Sequence, residues 1–298
     1  MMKKIAVVLG TVLVSCTNTM QTKTTEAEAT LFETEDLTAE NLFSKNIEGP
    51  AVNAAGELFV VNYQKDGTIG QVKDDGTVEL YANLPEGSTG NSIQFNSEGN
   101  MFIADFTGHN ILQLDTKNRS VTVYCHEEKF NQPNDICLNK MGIIFASDPD
   151  WKNGRGQIWK IGTDKKAVLL KGDMGTTNGI CLSPDEKILY VNESVQRNVW
   201  AFDVDSSGNL SNQRLFTRFE DHGLDGMKCD SAGNLYVTRY GKGAIAIFSP
   251  DGKLQREVVL KGKDVSNLVF GGPDYRTCFV TLQDRKGMEK FRTEIPGK

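Results

Sequence analysis

The sequence predicts an all-β protein: a six-bladed β-propeller with four antiparallel strands per blade and a ring closed by the N-terminal segment. Three observations carry this prediction. A unit made of a polar start, a short apolar run, a turn and a second short apolar run is written six times. The starts Glu48, Asn91, Asn134, Asn178, Asp225 and Asn267 are 43, 43, 44, 47 and 42 residues apart. A period of roughly 40–45 residues with strand-length apolar runs is that of a propeller blade. The 29 glycines also supply the many turns that such a fold needs, and no stretch reads as a helix.

The repeats in order are these. Glu48-Gly49-Pro50 leads to Leu58–Asn62, and Asn91-Ser92 leads to Met101–Asp105. Asn134-Asp135 leads to Ile143–Asp148, and Asn178-Gly179 leads to Ile188–Glu193. Asp225-Gly226 leads to Leu235–Arg239, and Asn267-Leu268 leads to Cys278–Gln283. Asn96–Gly99, Ser183–Glu186 and Asp230–Gly233 read as turns between the first two strands of a unit. Lys73–Gly76 and Ser249–Gly252 read as turns between the last two. The runs are short and β-rich, as buried strands are. The last unit stops one strand short at Lys298. The stretch Glu40–Asn46 is expected to supply that outer strand and so remove an exposed edge.

The start of the chain reads differently. Met1-Met2-Lys3-Lys4 precedes an apolar run, Ile5–Val14, too short to span a bilayer. Leu13-Val14-Ser15-Cys16 resembles the lipobox of bacterial lipoproteins, which implies cleavage before Cys16 and its lipidation. Residues 1–15 are thus expected to be a lipoprotein signal peptide, 16–39 a flexible tether rich in Thr, Glu and Ala, and 40–298 one propeller domain. The expected location is the bacterial cell envelope, periplasmic or outer surface, with the membrane met only through the lipid. A net charge of -6 argues against nucleic acid. Cys125, Cys137, Cys181, Cys229 and Cys278 make no C-x-x-C pair and read as small buried hydrophobes.

In a propeller the first strand of each blade lines a central channel, so the six polar starts form a ring at one end of it. That ring holds two carboxylates and four carboxamides, an all-oxygen set suited to a hard cation, Ca²⁺ best. Turn preference explains some of the Asn residues, but not Glu48 or a polar residue at all six places. A second ring is expected from the ends of the second strands: Asn62, Asp105, Asp148, Glu193, Arg239 and Gln283.

Glu48-Gly49-Pro50, Pro133-Asn134-Asp135 with Ser147-Asp148-Pro149, Asn178-Gly179, Asp225-Gly226 and Asn267–Pro273 closely resemble the SMP-30/gluconolactonase/LRE-like family. The resemblance covers roughly residues 40–295. It implies a divalent cation, usually Ca²⁺, held by Glu48, Asn134, Asn178 and Asp225, and hydrolysis of a small-molecule lactone or ester. The cation would polarise the carbonyl. Asp225 is the first candidate for base or nucleophile and Asp148 the second. Asn91, Gln132, Asp105, Glu193 and Arg239 are the expected substrate contacts. Gluconolactonases often carry Arg two residues before the Asn of the Asn-Asp pair. Gln132 stands there in this chain, a departure that bears on the substrate and not on the metal. Two other readings use the same scaffold: a phosphotriesterase-type hydrolase, and a binding propeller with a structural ion. There is no G-x-S-x-G elbow, and His126-Glu127-Glu128 lacks the second His of a zinc protease helix.

Overall fold

The structure is a computed structural model that describes residues 1–2 and 30–297. Cys16 and most of the expected leader and tether lie outside the described residues. Among the described residues there is no helix; 24 strands form six four-stranded antiparallel sheets. The short closing strand β1 is Glu35–Asp36. Blade I comprises β2 (Phe43–Val52), β3 (Leu58–Tyr63), β4 (Thr68–Val72) and β5 (Val78–Asn83). Blade II comprises β6 (Gly90–Phe95), β7 (Met101–Asp105), β8 (Asn110–Asp115) and β9 (Ser120–His126). Blade III comprises β10 (Ile136–Leu138), β11 (Ile144–Asp150), β12 (Arg155–Ile161) and β13 (Ala167–Met174). Blade IV comprises β14 (Thr177–Leu182), β15 (Ile188–Glu193), β16 (Asn198–Val204) and β17 (Leu210–Arg218). Blade V comprises β18 (Met227–Cys229), β19 (Leu235–Arg239), β20 (Ala244–Phe248) and β21 (Leu254–Val259). Blade VI comprises β22 (Val265–Gly271), β23 (Thr277–Leu282) and β24 (Gly287–Arg292), with β1 on its outer edge.

The turns form where Asn, Asp and Gly place them. Asn96 Oδ1 accepts from the Glu98 and Asn100 amides, and Asp230 Oδ1 accepts from those of Ala232 and Asn234. Gly99 and Gly233 then close these turns at φ +83° and +87°. The core is divided by blade interface. Phe59, Val61 and Ile69 of blade I pack with Ile93, Met101 and Ile103 of blade II. Equivalent clusters lie between each following pair, and Phe43, Ile47, Val60 and Met288 seal blade VI against blade I. Each such side chain contributes roughly 1.5–3 kcal/mol by leaving water. Six blades with six apolar interfaces leave no face unpaired.

The N-terminal segment closes the ring, but residues 40–46 do not form its outer strand. Phe43–Asn46 instead begin the innermost strand of blade I, where Phe43 pairs with Tyr63 and is buried. Phe43 is a core residue of the blade VI–blade I seam and Leu42 packs against it, contacts that an outer strand would not make. The outer strand is Glu35–Asp36, paired with Lys290 and Glu289. It is held by charge: Asp36 contacts Lys261 and Arg285, each at 2.6 Å, and Glu35 contacts Lys290 at 3.4 Å.

Candidate functional site

The polar starts converge at one mouth of the channel. Glu48, Asn91, Asn134, Asn178 and Asp225 line a cavity of about 580 Å³ together with Phe106, Trp151, Ser194, Val195, Arg197, His222, Gly223, Tyr240 and Gln283. Glycines let the inner strands come this close. A Cβ on Gly49 would stand 2.5 Å from Ser92 Cα, and one on Gly179 would stand 2.2 Å from the Asp225 carbonyl oxygen.

The six members of the ring differ in what their side chains are free to do. Asn267 Oδ1 accepts from the Leu268 amide at 2.9 Å, and its carboxamide also faces Glu48. Asn91 Nδ2 donates to the Asn134 carbonyl at 3.2 Å. The oxygens Asn134 Oδ1 and Asn178 Oδ1, by contrast, are buried and have no hydrogen-bond partner. A buried acceptor without a donor costs on the order of 1–3 kcal/mol. Glu48 and Asp225 are buried beside them, with their carboxyls in contact and Asn178 against Asp225. Burial pushes Glu48 up to about 8, and burial together with the Glu48 charge holds Asp225 far above the ordinary carboxylate range. Asp135 adds negative potential to both. Among the described residues no three His, Cys, Asp or Glu side chains cluster as metal ligands. The available donors are therefore two carboxylates and two orphaned carboxamide oxygens. This hard, all-oxygen set fits calcium and does not fit zinc.

The second ring is displaced by one residue from the expectation. Phe106, Ser194 and Tyr240 face the cavity; Asp105, Glu193 and Arg239, which precede them, do not line it. Side chains alternate along a strand, so one step of register moves a side chain to the other face. The preceding residues clamp the loops instead. Asp105 accepts from Ser88 Oγ, the Thr89 and Gly108 amides and Asn110 Nδ2. Glu193 accepts from the Gly175 amide and Asn198 Nδ2, each at 2.7 Å. Arg239 donates to Asp221 and stacks on Phe219 at 3.7 Å. Asn62 donates to the Asn46 and Gly90 carbonyls. Asp148 accepts from the Asn131 amide (2.9 Å), the Gln132 amide (2.6 Å) and Trp159 Nε1 (3.0 Å), and burial raises it to about 6. Neither Asp148 nor Gln132 lines the cavity. Gln283 does, because the last unit ends β23 at Leu282 and puts Gln283 in line with Ser194 and Tyr240.

Several residues at the site were not singled out by the repeat. Trp151, Val195, Arg197 and Tyr240 sit in turns after the second strand of a blade, where the repeat leaves no pattern. Buried Asp135 faces the half-buried Lys228, Nζ to Oδ2 3.9 Å. A lysine between Met227 and Cys229 on an inner strand was the available signal. A larger cavity of about 920 Å³ opens at the other side, lined by Cys137, Cys181, Cys229 and Lys228 among others. No residue lining it has a buried, unpartnered polar side-chain atom.

The profile of the SMP-30/Gluconolactonase/LRE-like region matches residues 43–284, from β2 of blade I through β23 of blade VI, and leaves out β1, β24 and the tail. The chain belongs to this family. It is 31% identical over 217 residues to the gluconolactonase of Zymomonas mobilis, covering 64% of this chain and 60% of that one. It is 32% identical over 174 residues to the regucalcin of Sus scrofa, covering 55% and 58%. The chain thus matches about three fifths of the length of these relatives. The fold is shared with the crystal structure of a calcium-binding regucalcin from Agrobacterium tumefaciens. That structure superimposes with a TM-score of 0.76 at 21% identity, over 91% of this chain and 95% of that one.

Proposed function

We propose that this family member hydrolyses a lactone in the 580 Å³ cavity, with a divalent cation, calcium by donor chemistry, held by Glu48, Asn134, Asn178 and Asp225. The observation that carries this reading is the pair of buried, unpartnered carboxamide oxygens beside two touching carboxylates. Relatives named gluconolactonase, 6-deoxy-6-sulfogluconolactonase and pentonolactonase support the reaction class. When bound, the cation supplies a Lewis acid for the ester carbonyl.

The chain's own residues supply the rest. Asp225 is the base that accepts a proton from the attacking water. It is more open to the cavity than Glu48, which accepts from the Gly49 amide through Oε2. Asn91 lines the wall where a ring oxygen would be oriented. Phe106, Trp151 and Tyr240 keep bulk water from the floor. Water adds across the ring ester: its oxygen bonds to the acyl carbon, the ring C–O bond breaks, and the proton passes by way of Asp225 to the leaving alkoxide.

The test is hydrolysis of a lactone panel by the purified protein, with phosphotriesters and aryl acetates as comparators. Lactone turnover should vanish with chelator, return with Ca²⁺, and be lost in Asp225→Asn. Full activity of that variant, or indifference to chelator, would overturn the mechanism. From the lipobox alone we also infer lipidation at Cys16; labelling with a fatty acid that survives Cys16→Ser would refute it.

A further inference from the structure

The wall of the cavity divides into two arcs, and their chemistry narrows the substrate. Turns of blades II, III and IV present Phe106, Trp151 and Val195. Trp151 is 39% exposed and Val195 62% exposed, large apolar surfaces left open at the mouth of a site. Blades V and VI present His222, Tyr240 and Gln283.

Three polar groups on the wall are committed to the protein itself. The Tyr240 hydroxyl donates to Gln283 Oε1 at 3.1 Å. Ser194 Oγ donates to the Leu224 carbonyl, and Asn91 Nδ2 to that of Asn134. A polyhydroxylated ring needs a donor or acceptor for each hydroxyl it buries, and each hydroxyl left unpaired loses affinity. One donor on the wall keeps a nitrogen without a partner: Arg197, through its Nε, in the β15–β16 turn beside Val195.

We propose that the substrate is a lactone bearing an apolar substituent, not a sugar lactone. The substituent packs on Phe106, Trp151 and Val195, while the Arg197 guanidinium donates to a single oxygen of the ring ester. This inference rests on the lactonase reading. The reaction remains addition of water across one ester bond, giving the free hydroxy acid.

The experiment compares kcat/KM for three probes in Ca²⁺ buffer: γ-nonalactone, which carries a pentyl chain, the unsubstituted γ-butyrolactone, and glucono-1,5-lactone. The pentyl lactone should exceed both others by roughly tenfold or more, because a buried alkyl chain adds binding with each methylene. In Trp151→Ser/Val195→Ser the ratio of γ-nonalactone to γ-butyrolactone should fall roughly tenfold, mostly through KM. Both positions are surface turns, and an unchanged thermal melt will show that the ring is intact. Preference for glucono-1,5-lactone, or an unaltered ratio in the double variant, overturns the inference and leaves the lactonase reading standing. No turnover of any lactone overturns both.

Discussion

Glu48→Gln should produce two opposite effects in one protein. Burial has raised the Glu48 carboxyl from an ordinary 4.5 to about 8. Its folded-state value therefore lies above its unfolded value, so the folded state binds more protons between those limits and stability falls as pH rises through that window. Below about 4.5 both states are protonated and there is no penalty; above about 8 the penalty is complete. Near pH 7 it amounts to about 3 kcal/mol as an upper bound, from ~1.36 kcal/mol per unit. Glutamine keeps an acceptor for the Gly49 amide and carries no charge. In chelator at about pH 7 the variant should therefore melt higher than wild type, by ~5–10 °C if the full amount is recovered. Calcium should act the other way. At about 100 times its Kd it should stabilise wild type by ~2.7 kcal/mol and leave the variant nearly unmoved. Thermal melts of both proteins, with chelator and with Ca²⁺, at several pH values, measure all of this. A variant less stable than wild type in chelator, or one that keeps the full calcium response, would refute the account of the paired carboxyls.

Other expectations follow from the same contacts. Asn178→Ala removes an orphaned oxygen, so the calcium-induced rise in melting temperature should shrink by more than half, as read by the same melts. Asp148→Asn leaves at least one of three converging N–H donors unpaired, at a cost of about 1–3 kcal/mol. It also removes a charge whose pKa burial has raised to about 6, so urea titrations should find the variant relatively worse near pH 5 than near pH 7. Arg285→Ala strips the cation from buried Glu289 and from Asp36 and should cost about 3 kcal/mol in chemical denaturation. Gly49→Ala puts a Cβ 2.5 Å from the blade II backbone at a φ of +53° and should lower expression of folded protein and its melting temperature sharply.

Much of this architecture was written in the repeat. The starts Glu48, Asn134, Asn178 and Asp225 could be placed around one mouth because an inner strand recurs in each blade and the ring is closed. Asp105, Glu193 and Arg239 mark the limit of that reasoning. The repeat located the end of each second strand, but not which of two successive residues points inward; the side-chain alternation turned these three into loop clamps and gave Phe106, Ser194 and Tyr240 the wall. Trp151 and Val195 belong to turns that differ from blade to blade, so no period could announce them. The closing strand escaped for another reason. Glu35–Asp36 is two exposed acidic residues fixed by Lys261, Arg285 and Lys290, with no apolar pattern to read.

That closure has a kinetic consequence. Asp36 and Arg285 are 249 residues apart in sequence, so the contact that completes blade VI forms only after nearly the whole chain exists. Blades I to V can each pair their strands locally as they emerge, but the two ends of the chain must wait for one another. Contacts of such long range are slow to form, and an open ring exposes the apolar seam of Phe43 and Met288 while it waits. Once the two ends meet, opening must undo the latch before any blade can peel from the edge. The persistence of the folded ring against proteases then depends on how long the whole closure holds: β1, the backbone bonds of Phe32, Leu37 and Thr38 to blade VI, and the seam of Phe43 and Met288.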